Sequence, residues 1–203
     1  MVGSGLQSAG VGRTLGILST GLAGAGTAAL LGGDPIQVAI QGISIGALNH
    51  WAYVNGVKDH LELDEITVKG DIDIFYRHRM AQVVSFLAEW RTPYVWGGSS
   101  SKGADCSGAV FYGIKQTIQT NFTRSTADGL FKSNKVEPIT NPAEGDLMFY
   151  DYKGEGRIEH VTTLTGEGNM IHPSSGSGFI KKIPINSFGA EKTYFRRIIW
   201  SNF

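Results

Sequence analysis

Tyr94-Val95-Trp96-Gly97-Gly98, followed after a short Gly/Ser/Lys loop by Asp105-Cys106-Ser107-Gly108, is the stretch that decides how this chain folds. Cys106 is the only cysteine of the 203 residues. A lone thiol can be a small buried hydrophobe, but the residues beside Cys106 are polar and glycine-rich, unlike a core run. Two later histidines, His160 and His172, supply a base and a group to orient it, and a Cys nucleophile needs both within reach in the fold. The pattern points to a cysteine hydrolase.

Working outward, Ser107 to Gln116 reads as a short helix with Cys106 at its start. There, free amide N–H groups and the positive helix end favour thiolate over thiol, so a lowered thiol pKa is expected. The same amides can hold an oxyanion. Upstream, Met80, Val83, Val84 and Leu87 recur at helical spacing and form one apolar face. Asp71 or Asp73 is the expected cap of that helix, and Arg91-Thr92-Pro93 its stop. Gly97 to Gly103 reads as a flexible loop.

Downstream, apolar runs alternate with turn residues: Asp146 to Tyr150, His160 to Leu164, Asn169 to His172, Phe179 to Ile185 and Tyr194 to Trp200. They read as strands of an antiparallel sheet. Gly166-Glu167-Gly168-Asn169 is a hairpin connection, and period-2 alternation permits His160 and His172 on one face. The expected class is α+β, with the sheet packed against helices.

Composition limits the alternatives. Eighteen acidic and eighteen basic residues cancel, so no charge excess attracts nucleic acid. One cysteine cannot form an intramolecular disulfide. The chain lacks paired Cys or His-Glu-x-x-His spacing for a metal and a phosphate-binding glycine loop, so no cofactor is expected. His50, His60 and His78 read as structural or surface groups.

Residues 1–56 differ from the rest: they are rich in Gly, Ala, Ser and Thr and carry only Arg13 and Asp34 as charges. The reading is a linker over 1–56 and a hydrolase domain over 57–203. The uncharged runs 14–33 and 35–56 are each long enough to span a bilayer. Their many small polar residues and the Gly32-Gly33-Asp34-Pro35 break argue against membrane contact, and the weakly positive start argues against a secretory signal. Residues 21–50, ending in Gly-Ala-Leu-Asn-His, resemble the Gly/Ala-rich segment that precedes the effector domain of Rhs and other polymorphic toxins. That resemblance implies a delivered toxin with a cognate immunity protein.

The Tyr94 and Cys106 motifs, with Gly145-Asp146-Leu147, His160-Val161 and Gly168-Asn169-Met170-Ile171-His172, resemble the successive motifs of NlpC/P60 cysteine peptidases over residues 75 to 200. The resemblance implies a papain-like core and cleavage of peptidoglycan stem peptides; together with the toxin-like segment, the expected setting is the cell wall or periplasm of a target cell. It makes Cys106 the nucleophile, His160 the base and His172 the orienting residue, with the Tyr94 hydroxyl near the sulfur. It places Asp105 and Ser107 at the free amino terminus of a stem peptide, and Trp96, Arg124 and Ser125 along the cleft. Thr162-Thr163-Leu164 departs from the Gly-Ile-Tyr of many relatives, a change expected to affect sheet packing. The alternatives are a Cys-His acyltransferase, deamidase or protease toxin acting on protein or lipid, and a non-catalytic wall-binding or membrane-inserting module.

Overall fold

A computed structural model describes residues 65–203 apart from 119 and 121. The chain divides into two units, Met1–Phe75 and Tyr76–Phe203. The boundary expected at residue 56, the bilayer-length runs and the Gly/Ala-rich segment all lie outside the described residues. Among those described, no helix is long and apolar enough to cross a membrane.

The first helix, α1, spans Glu65–Glu89. Asp71 and Asp73 therefore lie inside it and do not cap it. Asp costs an internal helix position only a few tenths of a kcal/mol relative to average residues, too little to stop the run of i→i−4 hydrogen bonds. The expected apolar face is real: Met80, Val83, Val84 and Leu87 are fully buried. The helix ends where expected. Thr92 N–H bonds the Leu87 carbonyl at 2.8 Å and Arg91 N–H bonds that of Ala88 at 3.0 Å, with Arg91 left-handed at φ 50°. That is the Schellman closure, and the Arg91 guanidinium lies 3.7 Å over the Phe179 ring.

The loop expected from Gly97 to Gly103 holds a small antiparallel ribbon, β1 (Ser99–Ser100) with β2 (Gly103–Ala104). Helix α2 follows at once, Cys106–Ile118. Any side chain at Gly113 would run into Met80 and Val84, so this glycine lets α1 and α2 pack closely. A five-residue helix, α3 (Ala127–Phe131), is capped by the Thr126 hydroxyl accepting from Gly129 N–H.

The remaining strands are β3 (Val136–Pro138), β4 (Leu147–Asp151), β5 (His160–Thr165), β6 (Asn169–Ser174), β7 (Phe179–Pro184) and β8 (Lys192–Ile198). They form one sheet in the order β3-β8-β4-β5-β6-β7, every pair antiparallel. Both faces of its middle are covered, which is why β4 and β5 are buried along their whole length, so that β4 reads as a nearly continuous apolar run while β5 buries His160 and three threonines. On one face Phe149 and Tyr194 meet Phe131 of α3 at 5.3 and 5.2 Å between ring centroids. On the other, Met148, Tyr150, Leu164 and Met170 pack with Ile183, Ile185, Phe188, Ala190 and Phe195. The departure at Thr162 is accommodated there: its hydroxyl lies 3.3 Å from that of the buried Tyr150 and 3.4 Å from the Met170 sulfur. Asp146, fully buried, is held by Arg197 at 2.9 and 2.7 Å.

Candidate active site

Asp105 is the N-cap of α2. Its Oδ1 accepts the Gly108 N–H at 2.7 Å, which satisfies one of the donors a helix start leaves free. The carboxylate also takes Gly97 N–H at 2.8 Å, the Ser107 hydroxyl at 3.2 Å, and Arg124 Nη2 at 2.6 Å to each oxygen. A carboxylate offers about four acceptor positions, and four groups donate to this one. Arg124 further donates to the Gly97 carbonyl at 3.0 Å and the Ser107 hydroxyl at 3.2 Å. Any substrate contact by Asp105 or Ser107 is therefore made with these partners in place. Burial opposes the Asp105 charge, but Arg124 and the Gly108 and Gly97 amides together hold its pKa below the usual carboxylate value. Gly108 has no room for a Cβ, which would meet the Gly98 carbonyl oxygen, so the motif glycine lets the Tyr94 loop close onto α2.

Cys106 is buried at the first position of α2. The amide N–H groups of Val161, Ser107 and Cys106 hydrogen-bond the sulfur and favour thiolate; burial, the larger effect, and the Asp105 charge push the thiol pKa up. The lowered pKa expected from the helix start is thus corrected to a raised one. The local dipole acts as foreseen, but removing the sulfur from water costs the charged form more. The Val161 amide ties the thiol to β5 at the residue after His160.

His160 opens β5 opposite Tyr150, and His172 lies in β6 opposite Lys181. With Thr163 opposite Ile171, alternation puts both histidines on one face, as the hairpin reading requires. Their rings meet edge to face, 4.8 Å between centroids. Both are buried, and His160 Nε2 and His172 Nδ1 have no hydrogen-bond partner. Burial, with a smaller contribution from His172 and against the pull of Asp105, lowers the His160 pKa to about 3. Burial and then Lys181 bring His172 to about 4. At neutral pH both rings are uncharged, the form a general base must have.

Tyr94 sits half-buried, and burial, then the charges of Cys106 and Asp105, raise its hydroxyl pKa. The Tyr94 backbone is stitched to the Gly178 carbonyl at 2.8 Å. Trp96 is 86% exposed, the most exposed large apolar side chain described. Ser125 precedes the α3 cap with its hydroxyl against Gly129. His78 bridges Glu144 at 2.9 Å and Gln82 at 2.8 Å, a structural role. No group of His, Cys, Asp and Glu that could hold a metal ion is present among the described residues.

Two residues escaped the sequence reading. Tyr152, 40% exposed, stacks on His160 at 6.4 Å and 19°; its hydroxyl pKa is raised by burial, then by Cys106. Phe188 lies 5.6 Å from His160 and 4.3 Å from His172, ring to ring. A Tyr following the Asp146 to Tyr150 strand was the available signal for the first; nothing local marks the second.

A buried thiol at a helix start, facing an antiparallel sheet that presents paired histidines, is the arrangement of a papain-like α+β cysteine hydrolase. Residues 91–198 match the NlpC/P60 family, and the chain belongs to it. It is 38% identical over 88 residues, 41% of this chain and 32% of the relative, to murein DD-endopeptidase MepH of Escherichia coli. It is 40% identical over 86 residues, 41% of this chain and 28% of the relative, to a gamma-D-glutamyl-L-lysine dipeptidyl-peptidase of Bacillus subtilis. The chain thus spans about a third of the length of these relatives. Its fold is that of NlpC2 from Trichomonas vaginalis, with a TM-score of 0.52 at 23% identity, covering 61% of this chain and 47% of the other.

Proposed function

We propose that this chain is a cysteine peptidase that hydrolyses amide bonds in the stem peptides of bacterial peptidoglycan. The observation that carries the reading is the packing of α2, with Cys106 buried at its first position, against β5, the strand that opens with His160. The names of the Escherichia coli and Bacillus subtilis relatives support the substrate class.

The resting pair is neutral thiol and neutral imidazole. His160 takes the thiol proton as the sulfur attacks the amide carbonyl, and His172 orients and stabilises the imidazolium that forms. The Cys106 amide, which favours the thiolate, passes to the tetrahedral oxyanion as the sulfur bonds carbon, while the Gly108 amide stays with Asp105 Oδ1. His160 then gives its proton to the leaving amine, and water, activated by the same base, releases the acyl group from sulfur. Tyr94 adds a hydroxyl beside the reacting sulfur, and exposed Trp96 offers a ring face to the substrate.

The setting is that of an antibacterial effector acting in a target cell's periplasm, neutralised in its producer by an immunity protein. The support is the resemblance of residues 21–50 to the toxin segment. Expression directed to the periplasm should lyse cells and expression in the cytoplasm should not, with Cys106→Ala harmless in both. Killing confined to the cytoplasm would instead favour a protein or lipid substrate.

A further inference from the structure

The proposed chemistry leaves unexplained why two catalytic-site histidines are walled by three aromatic rings. Tyr150 lies 5.5 Å from His160, Tyr152 stacks on it at 6.4 Å, and Phe188 touches both histidines at 5.6 and 4.3 Å. Phe188 also contacts Tyr150 at 5.2 Å and Tyr152 at 6.0 Å, so it is the common member of the enclosure. Tyr150 belongs to the sheet core. Phe188 packs onto that core from outside the sheet, from the segment after the 3-10 turn Ile185–Ser187 that leads into β8. Tyr152 stands just past β4, at the mouth of the site.

We propose that Phe188, with Tyr152, is a positioning residue for the base, holding the His160 ring edge-on to His172 and keeping the pair in an apolar, buried setting. The inference rests on the peptidase reading for its catalytic meaning and on ring geometry for its physical content. His160 Nε2 and His172 Nδ1 have no hydrogen-bond partner, so at these atoms ring packing and not a hydrogen bond sets how the two rings meet. A shift of about 1 Å in a base costs roughly 100-fold in rate, and an apolar cover fixes a ring without offering it a competing hydrogen bond. The titratable groups facing the pair are Asp105 toward His160, Lys181 toward His172, and Cys106, Tyr94, Tyr150 and Glu159 around Tyr152. None of them is altered by changing Phe188.

The test is a histidine titration by NMR on the full chain, with hydrolysis of purified sacculi measured in parallel. In Phe188→Ala the His160 and His172 midpoints should rise by about one to two pH units toward the ordinary value. The rate at saturating sacculi should fall tenfold or more, with half-saturation little changed. Phe188→Leu, which keeps an apolar cover, should stay within about threefold of wild type and guards against a folding defect. Tyr152→Phe should keep the stacking and the rate, while Tyr152→Ala should lose at least fivefold. Unmoved midpoints in a folded Phe188→Ala would overturn the proposal and leave the peptidase reading intact. Shifted midpoints in a chain that leaves sacculi whole would sustain the enclosure and overturn the substrate.

Discussion

The two ends of the site are built on opposite principles. Around Asp105 every acceptor position is occupied, by Arg124, Ser107 and the Gly97 and Gly108 amides. Around His160 and His172 two buried ring nitrogens have no partner, and the walls are aromatic. A buried polar group without a partner costs about 1–3 kcal/mol, so the histidine end is held at a cost in stability and the Asp105 end repays it by locking the loop and helix together.

That contrast can be broken most severely at the histidine end. His160→Ala should lower sacculus hydrolysis by roughly 10³-fold with the thermal midpoint unchanged or raised. His172→Ala, which removes only the orienter, should cost about 10²-fold. Equal losses of activity and stability in both would make them core residues.

Acid should reach the same end through linkage. Both histidines have folded-state pKa values far below the unfolded value near 6.5, so between about pH 6.5 and 4 the unfolded chain binds more protons than the folded one. Stability therefore falls as pH drops through that window, by an amount on the order of a few kcal/mol. Denaturant midpoints of wild type and a His160→Gln/His172→Gln double variant should diverge as pH is lowered from 7 to 4.5, with the double variant losing less. Parallel curves would show that the rings titrate as exposed histidines.

At the saturated end the effect is on stability first. Asp105→Asn should cost about 1–3 kcal/mol in denaturant unfolding, toward the lower value because Arg124 is partly exposed. Arg124→Ala should give a similar loss, and the double variant less than the sum. The smallest effect is at Trp96: Trp96→Ala should leave stability within about 0.5 kcal/mol while raising half-saturation for sacculi.

Much of this was legible in the sequence where chemistry and local pattern coincide. The α1 face, the helix starting at Cys106 and the hairpin joining the histidines follow from spacing and turn residues that act over a few positions. The direction of the Cys106 pKa did not follow, because the helix dipole is local whereas burial is set by α2 docking on the sheet. The sequence motif puts Arg124 at the cleft, but its clamp on Asp105 depends on a fold-dependent approach of two distant segments. Phe188 lies in an unremarkable Ile185-Asn186-Ser187-Phe188 run, and only the return of that segment across the sheet reveals its place against the histidines. α3 is too short to show a period, although Thr126 is a readable cap.

The most direct measurement is mass spectrometry of the soluble products released from bacterial sacculi by wild type and by Cys106→Ala. New stem-peptide fragments with wild type, reduced by roughly 10⁴-fold or more in the variant, are the predicted result and would identify the bond. Equal fragment release by both proteins would contradict a Cys106 nucleophile, and no release by either would remove peptidoglycan as the substrate.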